Sequence, residues 1–417
     1  MKQLFIQAIN LVKQNRFYSI ISIVGTAVTI AFVMVVVMIY DFRTADIAPE
    51  TDRSRMIYTD IGQTLRKNGT NVNTGMGKVA FDALFTKLPG IEDATWYEGI
   101  SRIPCSLPAS QSTYNCFVRS VASNWFSFFH YNIVSGRPFT QEEYDARRRV
   151  CVITEHTARQ LFGTVDVVGK YFFADFVSTK VVGVIQDVSS IFQVAYADAF
   201  LPFSLEDEDN YQMWTAGLGG FRRGLLKMYP DTKFSSVEAE VQRRQDRLNN
   251  SGQEYIFKMQ NLYTQTNYSF FRGSSINASL AYGLLIIVLL IVPAISISGL
   301  MHAQMQGNLA EMALRKVYGA SNLSIMGRLF TESLVTTLLG GVIGYLLSCL
   351  LIFIGRTWLL GTGGVDLDGI ALSGGLMLRP LLFIIALGTC VVFNLLSVCL
   401  PAWIAVHRNI VSILKGE

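Results

Sequence analysis

The chain has 417 residues, of which 51% are hydrophobic and only 16% are charged, and its mean hydropathy is +0.35. The hydropathy is too high and the charged fraction too low for an ordinary soluble enzyme of this size, so the composition indicates a membrane protein. The net charge of +4 is too small to indicate nucleic-acid binding. Residues 41–278 contain 25 basic and 26 acidic residues, which is typical of a soluble, nearly neutral globular region.

The N-terminal segment combines an amphipathic pattern with a long apolar run. Its amphipathic part, residues 1–16, predicts a cytoplasmic interfacial helix, with a plain signal-anchor flank as the alternative. The apolar side chains that define that face are Leu4, Phe5, Ala8, Leu11 and Val12. Residues 17–40 carry no charge and are long enough to cross a hydrocarbon core of roughly 30 Å, so they are predicted as a first, uncleaved transmembrane helix.

Three further apolar runs predict transmembrane helices at residues 279–301, 329–355 and 380–404. The fold class that follows is an α-helical membrane protein with four transmembrane helices and a large α+β extracytoplasmic domain, residues 41–278, inserted between helices 1 and 2. Four spans place both chain termini on the same side of the membrane.

Charge asymmetry predicts which side that is. The N-terminus, the loop 302–328 and the tail 405–417 together carry eight Lys or Arg residues against two acids, whereas the loop 356–379 carries two of each. Positively charged flanks stay in the cytoplasm. We therefore expect both termini and the loop 302–328 inside, and the domain 41–278 and the short loop 356–379 outside.

Helix and strand signals alternate in the outer domain and predict an α+β insert of two subdomains. Residues 77–90 are typical of a helix, 147–155 and 179–188 of buried strands, and 154–163 of a short helix that ends at Gly163. Ser235 with Glu238 three residues later predicts a capping box at the start of a longer helix.

Two cysteines of the outer domain flank a turn rich in Pro and Ser. Cys105 and Cys116 can close a hairpin as a disulfide in an oxidising compartment, or they can be ordinary core residues. The spacing leaves both interpretations open.

No catalytic, metal or cofactor site is expected in the chain. The string after Gly163 places five residues between its glycines, and Tyr171 replaces the hydroxyl residue of a phosphate-binding loop, so a turn before a strand is expected there. LSGGL at 372–376 imitates an ABC signature but lies in the outer loop. The four histidines are scattered, without zinc-ligand or hydrolase spacing.

The third predicted span contains helix-packing signals. Gly340 and Gly344 form a GxxxG pair, with Gly341 beside them, and such pairs let helix backbones approach closely. The close contact can lie within the four-helix bundle or across a dimer. Glu332, at the cytoplasmic end of this span, is either solvated at the interface or paired with a neighbouring helix.

The segment EMALRKVYGAS at 311–321 predicts a short helix with a fixed corner. Glu311 and Arg315 are spaced to brace one helical turn, Gly319 suits the left-handed position that ends a helix, and Ser321 can cap the next helix. The alternative is a solvated, positively charged flank.

This segment and the span after it resemble the hallmark segment of the FtsX-like permeases of ABC transporters. The residues that carry the resemblance are Glu311, Leu314, Arg315, Lys316, Gly319, Ala320, Ser321, Glu332, Ser333, Leu334, Gly340, Gly341 and Gly344. The outer stretches at 121–140, 148–163, 168–172 and 181–188 are similar to the periplasmic core domain of MacB-like permeases, and this resemblance implies a location in a bacterial inner membrane.

The resemblance implies a permease subunit of the mechanotransmission type, not an enzyme. In this interpretation Leu314 and Val317, with the cations Arg315 and Lys316, dock on a separate cytoplasmic ATPase dimer that binds ATP and Mg²⁺, while this chain binds no cofactor. Because the chain begins at the interfacial helix, its ATPase is expected to be another polypeptide.

The implied partners are that ATPase, a second permease copy in a homodimer or heterodimer, membrane lipid, and for export a periplasmic adaptor with an outer-membrane tunnel. The implied cargo is a drug, peptide or lipoprotein. The alternative function is an FtsX-like regulator that relays ATPase cycles to cell-wall hydrolases, although its outer loop would be smaller. An enzyme or sensor lacks support in the motifs.

Overall fold

Helix α1, Arg16–Thr44, leads from the membrane unit into the outer unit of the computed structural model. The division falls after Phe42. We call the described residues up to Phe42 and those from 280 onwards the membrane unit. The described residues from Arg43 to Phe271 form the outer unit. The structure describes residues 16–59, 62–66, 71–108, 112–189, 192–202, 215–250, 254–259, 261–271, 280–288, 291, 318, 321–360, 383–385, 387–392, 395, 396 and 399.

The outer unit is α+β, as predicted, and its described residues form three sheets and several short helices. The strands are β1 Met56–Thr59, β2 Gly62–Arg66, β3 Asn71–Met76, β4 Ile91–Tyr97, β5 Ser101–Ser106, β6 Tyr114–Ser120, β7 Ile133–Gly136, β8 Val150–Thr154, β9 Tyr171–Ala174, β10 Val177–Ile185, β11 Ala199–Leu201, β12 Gly219–Gly220, β13 Arg223–Met228, β14 Tyr255–Met259 and β15 Leu262–Thr264. The helices are α2 Lys78–Phe85, α3 Trp125–Phe128, α4 Gln141–Asp145, α5 Glu155–Phe162, α6 Phe234–Asn249 and α7 Gln265–Phe271.

Two lobes make up this unit. The first lobe contains the sheets β15-β1-β13-β4 and β12-β3-β2-β14, with α2 and α6 packed on its core. The barrel lobe contains the sheet β7-β10-β8-β11-β6-β5-β9, in which β9 pairs with both β5 and β10. That double pairing closes β10, β8, β11, β6, β5 and β9 into a small barrel, with β7 as an extra strand on β10.

The two lobes share a core rich in aromatic side chains. Trp125 packs edge-on against Phe129 with ring centroids 4.6 Å apart, and Tyr58 stacks on Tyr268 at 4.4 Å. The same cluster includes Tyr97 from the first lobe and Phe200 from the barrel lobe. The predicted two subdomains are therefore lobes of one compact unit, because a single buried cluster holds both.

Local sequence signals account for several of these elements. Strand β8 is buried along its whole length, as its run of β-branched residues predicts. Helix α5 begins after Thr154, whose hydroxyl accepts a hydrogen bond from the Thr157 amide at 3.3 Å, and ends at Gly163, whose φ is 73°. The chain from Gly163 then turns into β9, as expected of this stretch.

The capping box predicted at Ser235 is wrong. Helix α6 begins at Phe234, and its N-cap residue is Lys233, which makes no side-chain capping bond. Phe234 packs against the first-lobe core, and the helix starts two positions earlier than a cap at Ser235 would place it. Ser235 thus lies inside the first turn, where its hydroxyl is not at the cap position.

The last long helix is α8, Asn322–Leu360. It begins inside the segment 302–328 that was expected to be a loop. Among the described residues, two helical stretches are long and apolar enough to span a membrane, Ser19–Asp41 in α1 and Ser333–Gly355 in α8. They coincide with the first and third predicted spans.

The other membrane predictions fall mostly outside the described residues. Residues 280–288 are helical within the second predicted span, and most of 383–392 is helical within the fourth. The predicted interfacial helix, most of the outer loop 356–379 and the tail 405–417 lie outside.

Candidate functional site

The predicted ATPase-coupling segment is described only at its end. Glu311, Leu314, Arg315, Lys316, Val317, Gly319 and Ala320 lie outside the described residues. Tyr318 is 83% exposed, and Ser321 is exposed immediately before α8. The coupling role of the segment remains a prediction.

Ser321 caps helix α8. Its hydroxyl oxygen accepts a hydrogen bond from the Ser324 amide at 3.3 Å, and its carbonyl accepts bonds from the amides of Ser324 and Ile325 at 3.0 and 3.3 Å. These bonds satisfy amides of the first helical turn that have no partner within the helix. The capping predicted for Ser321 is therefore confirmed, whereas the corner predicted at Gly319 lies outside the described residues.

Two glycines of α8 pack against the backbone of α1. A methyl group added at Gly344 would lie 2.6 Å from the Ala27 carbonyl oxygen, and one added at Gly340 would lie 3.0 Å from the Ile23 carbonyl oxygen. Distances this short mean that any larger residue would have to move α1 itself. The GxxxG pair thus sets the separation of the two helices.

The third glycine faces another part of the same chain. A methyl group added at Gly341 would lie 2.4 Å from Cδ1 of Leu387, in the fourth predicted span. All three glycines therefore have intramolecular neighbours, which supports the bundle interpretation of the motif. Glu332 lies in α8, but its side chain is outside what the structure describes.

Buried hydroxyl groups in α8 bond within the helix. Thr336 and Thr337 both donate to the Ser333 carbonyl, at 2.9 and 2.7 Å, and Ser348 donates to the Tyr345 carbonyl at 2.7 Å. A hydroxyl at membrane depth needs such a partner because no bulk water is available. These bonds therefore satisfy the three buried hydroxyl groups within the helix itself.

A buried ion pair fixes the segment after α1 to the barrel lobe. Arg53 Nε lies 2.7 Å from Glu50 Oε2, and the two side chains are only 3% and 2% exposed. Glu50 Oε1 accepts a hydrogen bond from the Ala195 amide at 3.2 Å, and the Arg53 guanidinium lies 5.1 Å from the Phe192 ring centroid. The chain leaving α1 is thus tied to a loop 145 residues away in sequence.

A second set of polar contacts fixes the same segment to the first lobe. Lys227 Nζ lies 3.1 Å from Asp52 and donates to the Phe128 carbonyl at 3.2 Å. Arg55 bonds Asp52 and also Glu92, the latter at 2.6 Å. Burial acts to raise the pKa of Asp52, but the hydrogen bonds from Arg55 and Lys227 outweigh it and lower that pKa.

We define residues 46–55 as the hub segment, since it connects the end of α1 to both lobes. The sequence did not single it out. Charged residues soon after an apolar span are usually a solvated flank, and only the fold shows that Glu50 and Arg53 are buried. The pattern E-x-x-R at Glu50 and Arg53 was the one available signal.

A disulfide and ordinary core packing were both open for Cys105 and Cys116. Both are free thiols buried in the barrel core. The register pairs Cys105 with Tyr114 and Ile103 with Cys116, so the cysteines are diagonal neighbours and not opposite each other. The hydrogen bond with Cys105, together with burial, raises the pKa of the Cys116 thiol.

The described residues contain no group of side chains arranged to hold a metal ion. The contacts described above are packing surfaces and ion pairs. Two membrane helices are held together by glycines, and the chain that leaves one of them is fastened to both lobes of the outer unit.

Comparison with known families agrees with this architecture. The model of the MacB-like periplasmic core domain matches residues 19–244. The chain belongs to the FtsX/MacB-like ABC permease family. The FtsX-like permease C-terminal model matches residues 282–410, so the two matches follow each other along the chain. As a member of a permease family, the protein is membrane-integral.

Several curated proteins are similar to this chain. The uncharacterized ABC transporter permease YknZ of Bacillus subtilis is 20% identical over 357 residues, which cover 81% of this chain and 83% of that protein. The macrolide export ATP-binding/permease proteins MacB of Chromobacterium violaceum and Escherichia coli K12 are 22% and 24% identical, over 64% and 56% of this chain. The chain spans 41% and 35% of the length of these two MacB proteins.

Solved structures of related outer regions align with part of the chain. The periplasmic region of MacB from Actinobacillus actinomycetemcomitans gives a TM-score of 0.36 at 13% identity, covering 54% of this chain and 95% of that one. A domain of a permease protein from Porphyromonas gingivalis gives the same TM-score at 20% identity, covering 56% and 98%.

Proposed function

We propose that this protein is the membrane-spanning subunit of an ABC transporter of the mechanotransmission type. It works as a dimer with a separate cytoplasmic ATPase, and it exports or releases a drug, peptide or lipoprotein that is already outside the cytoplasm. ATP hydrolysis belongs to the partner, and this chain supplies the movement of its outer unit.

The observation that carries this proposal is the fastening of the hub segment. Helix α1 runs without a break to Thr44, and the buried Glu50–Arg53 pair and the Asp52–Lys227 pair then join the chain to the barrel lobe and the first lobe. A flexible linker at this point would absorb a displacement of α1. A buried, bonded segment instead passes the displacement to both lobes, which is what a mechanical transmitter needs.

The test starts from protein purified from native membranes, with identification of its partners by mass spectrometry. An ATPase recovered with an adaptor and an outer-membrane tunnel supports export. An ATPase recovered with a cell-wall hydrolase supports the regulatory function instead. Absence of any ATPase contradicts both.

A charge-reversal variant tests the coupling segment in the same preparation. Arg315→Glu with Lys316→Glu should remove ATPase association and ATP-driven transport, while membrane insertion and the outer fold stay intact. The matched control reverses two exposed cations of α6, Arg243→Glu with Arg247→Glu, which changes the net charge equally. Full ATPase association in the coupling variant would show that 311–321 is only a topological flank.

A further inference from the structure

The chain leaves the membrane unit through α1 and returns towards it through α7, and both helices end close together in the outer unit. Every α-helix leaves its last four carbonyl groups without partners inside the helix. Arg43 lies in the last turn of α1, and Ser269 lies in the last turn of α7. The carbonyls of both residues therefore need partners from elsewhere.

Each helix provides hydrogen-bond donors for a carbonyl group at the end of the other. The Arg43 guanidinium donates to the Ser269 carbonyl at 3.2 Å. The Gln265 side-chain amide donates in return to the Arg43 carbonyl and to the Ser269 hydroxyl oxygen, the latter at 2.9 Å. The Ser269 hydroxyl lies 3.4 Å from the Arg43 carbonyl oxygen. The two helix ends thus cap each other reciprocally.

Burial and an aromatic contact strengthen this arrangement. Gln265 is only 4% exposed, so its amide exchanges little with water. The Arg43 guanidinium also lies 5.3 Å from the Phe270 ring centroid, within the range of a cation–π contact. We call Arg43, Gln265, Ser269 and Phe270 the Arg43 clamp.

The clamp is anchored to the shared core of the lobes. Tyr268, next to Ser269 in α7, stacks on Tyr58, and its hydroxyl is 2.9 Å from that of Tyr97. Buried aromatic packing therefore holds α7 in place next to the residues that contact the end of α1.

We propose that the Arg43 clamp is a positioning element that makes the outgoing and returning legs of the chain move as one. With the clamp closed, a displacement of α1 moves α7 and the anchored lobes together. With it broken, α1 shifts past α7, and only the hub segment still passes on part of the displacement. This inference rests on the proposed function, because it assumes that ATP hydrolysis displaces α1.

The experiment measures movement and not cargo, since the cargo is unidentified. Spin labels are placed on ketone-bearing amino acids at the exposed positions Ser178 and Ser324, which leaves the native cysteines untouched. The labelled chain, diluted with unlabelled copies and purified with its ATPase in lipid nanodiscs, is compared without nucleotide and with ATP, Mg²⁺ and vanadate. The distance between the labels reports movement of the outer unit.

Two variants break the clamp in different ways. Arg43→Ala removes both the guanidinium bond and the ring contact, and Gln265→Leu removes the side-chain amide bonds to the Arg43 carbonyl and the Ser269 hydroxyl with little change in volume. Each should lose at least half of the ATP-dependent distance change. Arg43→Lys, which keeps the positive charge and an N–H donor group, should lose an intermediate amount. Arg159→Ala is the matched control, because that arginine is 63% exposed and lies on α5.

The outcomes separate the clamp from the proposed function. If the wild-type distance does not respond to ATP, the proposed function fails. If the wild-type distance responds and both clamp variants respond as fully as the wild type, the clamp is only a pair of helix caps. This inference is then overturned, even if the melting temperatures of the variants fall. If Arg43→Ala does not fold, Gln265→Leu and Arg43→Lys decide by the same measurement.

Discussion

Gly344 of α8 lies against Ala27 of α1 so closely that a single added methyl group would stand 2.6 Å from the Ala27 carbonyl oxygen. Backbone cannot retreat as a side chain can, so Gly344→Ala should separate the two helices. Overpacking of this kind costs about 1–3 kcal/mol. We expect a lower midpoint of thermal unfolding for the purified chain in detergent.

The matched control is Gly327→Ala in the same helix. An added methyl group there meets nothing within 4 Å, and the residue is exposed. Alanine is a better helix former than glycine by about 1 kcal/mol, so this variant should be neutral or stabilising. Equal loss of stability in both variants would show that Gly344 is not a packing site.

The buried Glu50–Arg53 pair should show strong energetic coupling. Glu50→Gln or Arg53→Met alone leaves one buried charge without its partner, which typically costs about 3–5 kcal/mol. The double variant should cost clearly less than the sum, because no unpaired charge remains. A double-mutant cycle, measured by denaturant unfolding through tryptophan fluorescence, tests this.

The exposed Lys78–Asp82 pair provides the comparison. Its side chains are 67% and 49% exposed, so its coupling energy should stay below about 1 kcal/mol. Additive effects at Glu50 and Arg53 would contradict the role given to the hub segment as a fixed connection.

The acid sensitivity of the outer unit should depend on Glu143. The hydrogen bond from Arg137, with a smaller contribution from the Thr140 backbone amide, lowers the pKa of Glu143 from 4.5 to about 2. A carboxylate whose pKa is lower in the folded state stabilises that state above its unfolded pKa. This stability is lost as the pH falls from 4.5 towards 2.

The expected size is modest. The full pKa difference corresponds to about 3 kcal/mol, and solvent around the half-exposed Arg137 reduces the contribution to roughly 1–2 kcal/mol. The stability difference between wild type and Glu143→Gln should therefore be largest above pH 4.5 and close towards pH 2. The matched control is Glu142→Gln, which removes the exposed neighbouring carboxylate. It keeps the hydrogen bonds that Glu143 accepts from Arg137 and the Thr140 amide. A pH-independent difference for Glu143→Gln would refute the assignment.

Membrane topology can be tested by labelling introduced cysteines in intact cells. Ser235 is exposed on the outer unit, and Ser412 lies in the predicted cytoplasmic tail. A membrane-impermeant reagent should modify Ser235→Cys and leave Ser412→Cys unmodified until the cells are opened. Labelling of Ser412→Cys in intact cells would reverse the predicted orientation.

The sequence alone determined those features that depend on neighbouring residues. Helix α5 ends at Gly163 as predicted, because a left-handed backbone at a helix end is a local property. The apolar stretches of α1 and α8 were predictable for the same reason, since length and hydrophobicity suffice to recognise a span. Ser321 also caps the helix that it was expected to cap.

Only the tertiary structure decided which distant residues meet. Strand register separates Cys105 from Cys116 diagonally, and core packing at Phe234 moves the start of α6 away from Ser235. The bond between Glu50 and Ala195 joins residues 145 positions apart. These two residues meet because the lobes pack around a shared core, and no local sequence pattern encodes that packing.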